Sequence, residues 1–78
     1  MLERVSWEEI QQELDLVAED DYPGIIRVFL KFQHRYLDFV DTGGREQCVT
    51  ARAFCLHFGF SRHKFANWLN EYGEQVAS

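Results

Sequence analysis

The sequence predicts an all-α fold, a compact four-helix domain that spans residues 1–78. Apolar residues recur at the three- and four-residue spacing of a helix face in four separate stretches. Residues that cap helix N-termini begin these stretches, and glycines follow three of them. Strand signals are weak, and no Ser- or Pro-rich linker divides the chain. Seven Phe, three Tyr and two Trp supply enough large side chains to close a small core.

The composition argues against several classes of protein. No apolar run approaches the roughly 18 residues that a membrane span needs, and the charged N-terminus lacks the apolar stretch of a signal peptide. Cys48 and Cys55 are too few for a disulfide framework. We therefore expect a cytoplasmic protein with reduced thiols and no membrane association.

The first predicted helix lies in an acidic N-terminal segment, residues 1–22. Ser6 is a good N-cap residue, and Glu9 stands where a capping box places its carboxylate. The apolar residues from Trp7 to Val17 follow at helical spacing. The acidic residues after Val17 then predict a loop up to Pro23.

A central helix is predicted over residues 23–41. Pro23 suits a first helical turn, and Gly43 with Gly44 can take the left-handed conformation that ends a helix. Its apolar face is broad, as expected of the helix that all others contact. Three basic residues recur every four positions and predict one basic ridge along this helix: Arg27, Lys31 and Arg35.

Two short helices are predicted at the end of the chain, within residues 50–72. Thr50 and Ser61 are N-cap residues, and Gly59 separates the two helices. Gly73 stands just after Tyr72, where a left-handed residue is expected to end the last helix. No room remains after it for a β-wing.

Residues 50–70 resemble the helix-turn-helix of phage repressors and small bacterial regulators. Gly59 occupies the turn, and the small Cys55 stands four places earlier, where that family usually has Ala and the two helices come closest. Bulky apolar residues fill the positions between the helices: Phe54, Phe58, Phe60, Phe65 and Trp68. The second helix offers a polar face with no acid before Glu71.

The resemblance implies that the helix from Ser61 is a recognition helix that enters the DNA major groove. The residues expected to contact base edges are Ser61, Arg62, Asn67 and Asn70. The residues expected to contact phosphates are Thr50, Arg52, His63, Lys64, Arg27, Lys31 and Arg35. The implied protein is a transcriptional regulator of the phage or plasmid type that binds double-stranded DNA as a homodimer and needs no cofactor.

The formal net charge of −5 is unusual for a DNA-binding protein, but the charge is unevenly distributed. Residues 1–24 hold eight acids against one arginine, whereas residues 25–70 hold seven basic residues against three acids. Because fields act over roughly 8 Å at physiological salt, a negative molecule can still present a basic face.

The acidic segment supports a second hypothesis. It is either an ordinary solvated surface, or it docks a basic protein, or it imitates nucleic acid to block a host nucleic-acid-binding protein. In the latter two cases the helix-turn-helix is only a scaffold. The partner would bind through Glu8, Glu9, Glu13 and Asp15.

No motif predicts catalysis or metal binding. Cys48, Cys55, His57 and His63 lack the tight Cys-x-x-Cys spacing of a zinc knuckle. No phosphate loop, nucleophile elbow or carboxylate pair is present. We expect a protein that is not an enzyme and holds no metal.

Overall fold

Helices make up most of residues 3–77, the part of the chain that the computed structural model describes. Five helices lie in this range: α1 Trp7–Leu14, α2 Tyr22–Phe32, α3 Phe39–Thr42, α4 Ala51–Phe58 and α5 Arg62–Ala77. The prediction of an all-α fold is confirmed. The count of four is wrong, because the one-turn helix α3 lies within the segment predicted as the end of the central helix.

Side chains cap the first two helices, Ser6 as predicted from the sequence and Asp21 in addition. The Ser6 hydroxyl accepts a hydrogen bond from the Glu9 amide at 3.1 Å and begins α1. The Asp21 carboxylate accepts one from the Gly24 amide at 3.0 Å and begins α2. Each bond satisfies an amide that has no partner within the first turn of its helix.

The prediction of one central helix over residues 23–41 is wrong, because α2 ends at Phe32. Gln33 is extended and His34 takes a left-handed conformation, with φ 71°. The backbone beyond this point pairs with two distant segments. The amide of His34 donates to the carbonyl of Val49 at 3.0 Å.

These pairings place residues 34–38 between residue 5 and residues 47–49. The Leu37 amide donates to the Gln47 carbonyl at 2.8 Å. On the other side, the Val5 amide donates to the Tyr36 carbonyl at 2.9 Å. Because tertiary hydrogen bonds satisfy this backbone, α2 does not continue through residues 34–38, and the chain is helical again only at α3.

The core is a contiguous apolar cluster centred on α2. This helix packs against both α1 and α5, and α4 packs against α5. Four phenylalanine side chains of the core are almost fully buried: Phe29, Phe32, Phe54 and Phe65. The Phe54 ring lies 5.3 Å from Phe29 and 5.5 Å from Phe65, so one aromatic residue joins three helices.

The last helix extends further than predicted. It continues through Gly73 to Ala77, and Gly73 is not among the residues with positive φ. The side chain of Val76 packs against the core beyond Gly73. This contact favours continuation of the helix, so the predicted end at Tyr72 is wrong.

Among the residues described, no helix combines the length and the apolar character that crossing a bilayer requires.

Candidate nucleic-acid interface

Helices α4 and α5 are joined by the three residues from Gly59 to Ser61. Gly59 is left-handed, with φ 78°, and its amide donates to the Cys55 carbonyl at 2.8 Å. Thr50 caps α4 by accepting from the Ala53 amide at 3.2 Å. Ser61 accepts from the Lys64 amide at 3.3 Å in the first turn of α5. Short-range bonds therefore define both ends of this turn.

One face of α5 is anchored in the core and the opposite face is exposed. Phe65 is buried, while Trp68 and Leu69 are partly buried against the core. All six polar residues expected to face DNA from the second helix are exposed: Ser61, Arg62, His63, Lys64, Asn67 and Asn70. The polar face predicted from the sequence is thus available to a partner.

Helical geometry divides these exposed residues into two groups. His63, Asn67 and Asn70 are spaced by four and three positions, so they form one stripe along the outermost side of α5. Arg62 lies about 100° around the helix from His63. It therefore stands at the side of the face rather than along its centre.

Arg62 lies beside Arg52 of α4. The two side chains line a shallow surface pocket of about 300 Å³ together with Cys55, Leu56 and Phe60. Burial raises the pKa of the Cys55 thiol, and the nearby Arg62 guanidinium partly opposes this shift. The thiol is therefore neutral at physiological pH.

The basic ridge predicted on the central helix is wrong, because Arg35 lies beyond the end of α2. Lys31 forms an ion pair with Glu13 at 2.5 Å, and Arg35 lies 3.9 Å from the Glu3 carboxylate. Arg27 and Lys31 line a different pocket, which also holds two acids, Glu13 and Asp21. Nearby acids therefore offset the charges of these basic residues.

The acidic residues proposed to bind a protein partner are only partly grouped. Glu8 and Glu9 are exposed in the first turn of α1, and Glu13 is held by Lys31. The Asp15 carboxylate accepts a hydrogen bond from the side-chain amide Nε2 of Gln11 at 2.8 Å. It also lines a groove of about 540 Å³, whose lining residues include Glu19 and several apolar side chains: Leu14, Val17, Ile25, Phe58 and Phe60.

Two aromatic stacks and this groove were not foreseen. The rings of Trp7 and His57 stack with centroids 4.3 Å apart, and those of Tyr22 and Trp68 stack at 4.4 Å. The members of each pair are about fifty residues apart in the chain, and no local pattern predicts such a contact. Within residues 3–77, no group of three or more His, Cys, Asp or Glu side chains could hold a metal ion.

No family model, curated protein or solved structure matches this chain.

Proposed function

We propose that this protein is a sequence-specific DNA-binding transcriptional regulator of the phage or plasmid type, which inserts the helix from Ser61 into the major groove. One observation supports the proposal above the others. From Ser61 to Asn70 the exposed face of α5 carries polar and basic side chains and no acid, in a protein with thirteen acids. Phe65 anchors the opposite face in the core. A rigid helix with a polar outer face is the element that reads base edges.

In this proposal the central stripe of α5 contacts the bases. Asn67 and Asn70 have the side-chain amides that pair bidentately with adenine. Thr50, Arg52 and Lys64 lie outside this stripe and contact phosphates, and Ser61 keeps its expected place at a base edge at the start of α5. Because one recognition helix covers only a few base pairs, high affinity requires a homodimer on two half-sites about one helical turn apart.

The test is selection of binding sites from a pool of randomised duplex DNA, followed by binding measurements across about 50 to 200 mM salt. The parent protein is expected to select an inverted repeat with half-site centres about 10 base pairs apart. Affinity for that site should fall steeply with salt, because binding displaces phosphate counterions.

The Asn67→Ala variant should lose sequence preference at one position of each half-site while it keeps its fold. Gln75→Ala is the matched control, because Gln75 is an exposed amide on the same helix beyond the acid-free stretch. Equal site preference in the parent and in Asn67→Ala would show that α5 does not read the bases.

The groove near the end of α1 supports a second candidate function, an acidic protein-interaction module. Its apolar floor and the carboxylates of Asp15 and Glu19 suit a basic segment with apolar side chains. A partner captured by the parent should be lost by the Asp15→Lys, Glu19→Lys double variant. It should be retained by Glu8→Lys, because Glu8 does not line the groove.

A further inference from the structure

Two arginine residues that lack an acidic partner line the pocket between α4 and α5. Arg52 and Arg62 both line it, and both side chains are exposed. Within residues 3–77, neither side chain forms an ion pair, whereas Arg4 and Lys31 each reach a carboxylate at 2.5 Å. Two like charges that line one pocket repel each other, and a bound anion would relieve this repulsion.

The pocket itself supplies no negative charge. The other residues that line it are Cys55, Leu56 and Phe60, and the Cys55 thiol is neutral because it is buried. The positive potential of the two arginines is therefore not neutralised from within the pocket. An anion from solution or from a partner molecule would provide the missing charge.

The chemistry of the two side chains indicates which anion fits. Guanidinium groups present parallel N–H donors that match the oxygen atoms of phosphate, often bidentately. We propose that Arg52 and Arg62 form a phosphate-binding pocket, and that Arg62 consequently binds a backbone phosphate of DNA rather than a base edge. The first part stands on the pocket alone, and the second part rests on the proposed function.

This assignment exchanges the roles that the resemblance implied for two neighbouring residues. Arg62 lines the same pocket as Arg52, at the side of α5, whereas His63 begins the outermost stripe that continues with Asn67 and Asn70. His63, expected at a phosphate, therefore joins the base-reading stripe. Arg62, expected at a base, positions the helix on the backbone.

The first arm of the test uses inorganic phosphate and no DNA. Phosphate is titrated into the full chain at constant pH and ionic strength, with chloride as the reference anion, and binding is followed by nuclear magnetic resonance. The expected signals are the side-chain Nε–H groups of Arg52 and Arg62 and the backbone amides of Leu56 and Phe60.

Arg52→Gln and Arg62→Gln should each weaken phosphate binding about tenfold, because each removes charge-assisted hydrogen bonds. Arg45→Gln is the matched control: Arg45 is an exposed guanidinium, also without an ion pair among the residues described, but it does not line the pocket. Its affinity for phosphate should stay within about twofold of the parent. No saturable binding, or equal weakening by all three variants, would overturn the pocket.

The second arm uses the selected duplex. Arg62→Gln should reduce the slope of log affinity against log salt by about one and weaken the selected and a scrambled duplex equally. A changed preference at one base position would instead assign Arg62 to a base and overturn the second part. Phosphate binding by a protein that binds no DNA would support the pocket, with a free phosphate group as its ligand, and would refute the proposed function.

Discussion

Residues 3–49 combine a largely aliphatic core with several exposed polar contacts, whereas residues 50–77 pack against that core mainly through aromatic rings. In the first region, Arg4 pairs with Glu46 at 2.5 Å, and the Asp41 carboxylate accepts from the Trp7 amide at 3.0 Å. In the second, Phe54 lies within 6 Å of the rings of four other phenylalanines. Exposed polar contacts define the path of the chain but contribute little to the free energy of unfolding. Buried rings contribute much more.

The two regions also differ in the charges that they carry. Most acids of the first region lie on α1 and the loop that follows it, where Lys31 pairs with Glu13 alone. The second region keeps its basic and amide side chains outside, because its aromatic residues face α2. A protein with net negative charge can therefore present a stretch of exposed helix, from Ser61 to Asn70, that carries no acid.

The largest expected effect comes from truncation of the ring that joins three helices. Phe54→Ala should reduce the free energy of unfolding by about 3–5 kcal/mol, because a fully buried ring leaves a cavity. Urea denaturation measures the change. Leu56→Ala is the control, since Leu56 lies on the same helix but is 80% exposed, and its change should stay within about 0.5 kcal/mol. Equal losses in the two variants would contradict the aromatic account of the second region.

Substitution of a glycine at the start of α2 should have the next largest effect. A Cβ atom at Gly24 would lie 2.8 Å from Cγ of Asp21 and 2.9 Å from Cγ1 of Val17. Gly24→Ala must displace the capping carboxylate or the Val17 side chain, so it should cost about 1–3 kcal/mol. Thermal unfolding followed by circular dichroism measures this cost, and an unchanged melting temperature would show that the packing here is loose.

The corresponding substitution in the second region should have the opposite sign. Gly73 lies inside α5, and an added Cβ would meet Leu69 at 3.5 Å, an ordinary contact distance. Gly73→Ala should stabilise the protein by about 0.5–1 kcal/mol, because alanine loses less backbone entropy in a helix. A loss of stability in the same thermal assay would indicate that α5 ends near Gly73, as the sequence pattern predicts.

The smallest effect is expected from an exposed ion pair. Glu46→Gln removes the charge that faces Arg4 and should change the free energy of unfolding by less than about 0.5 kcal/mol. The difference should vanish in high salt, which screens exposed charges. A larger loss that persists in salt would mean that polar contacts hold the first region more strongly than the comparison assumes.

The sequence alone determined the features that depend on neighbouring residues. Thr50, Gly59 and Ser61 act within a few residues of their own positions, so the boundaries between α4 and α5 were predictable. The alternation of buried and exposed residues along α5 was also predictable, because helical spacing assigns Phe65 and Asn67 to opposite faces.

Only the tertiary structure decided where α2 ends and which charges meet. The apolar spacing of the predicted central helix continues through Tyr36 and Leu37, but the backbone of residues 34–38 bonds mainly to residue 5 and to residues 47–49. The ion pair of Lys31 with Glu13 and the shared pocket of Arg52 and Arg62 likewise join different elements of the fold. A local pattern reports the intrinsic preference of a segment, whereas these features depend on partners that approach only when the chain folds.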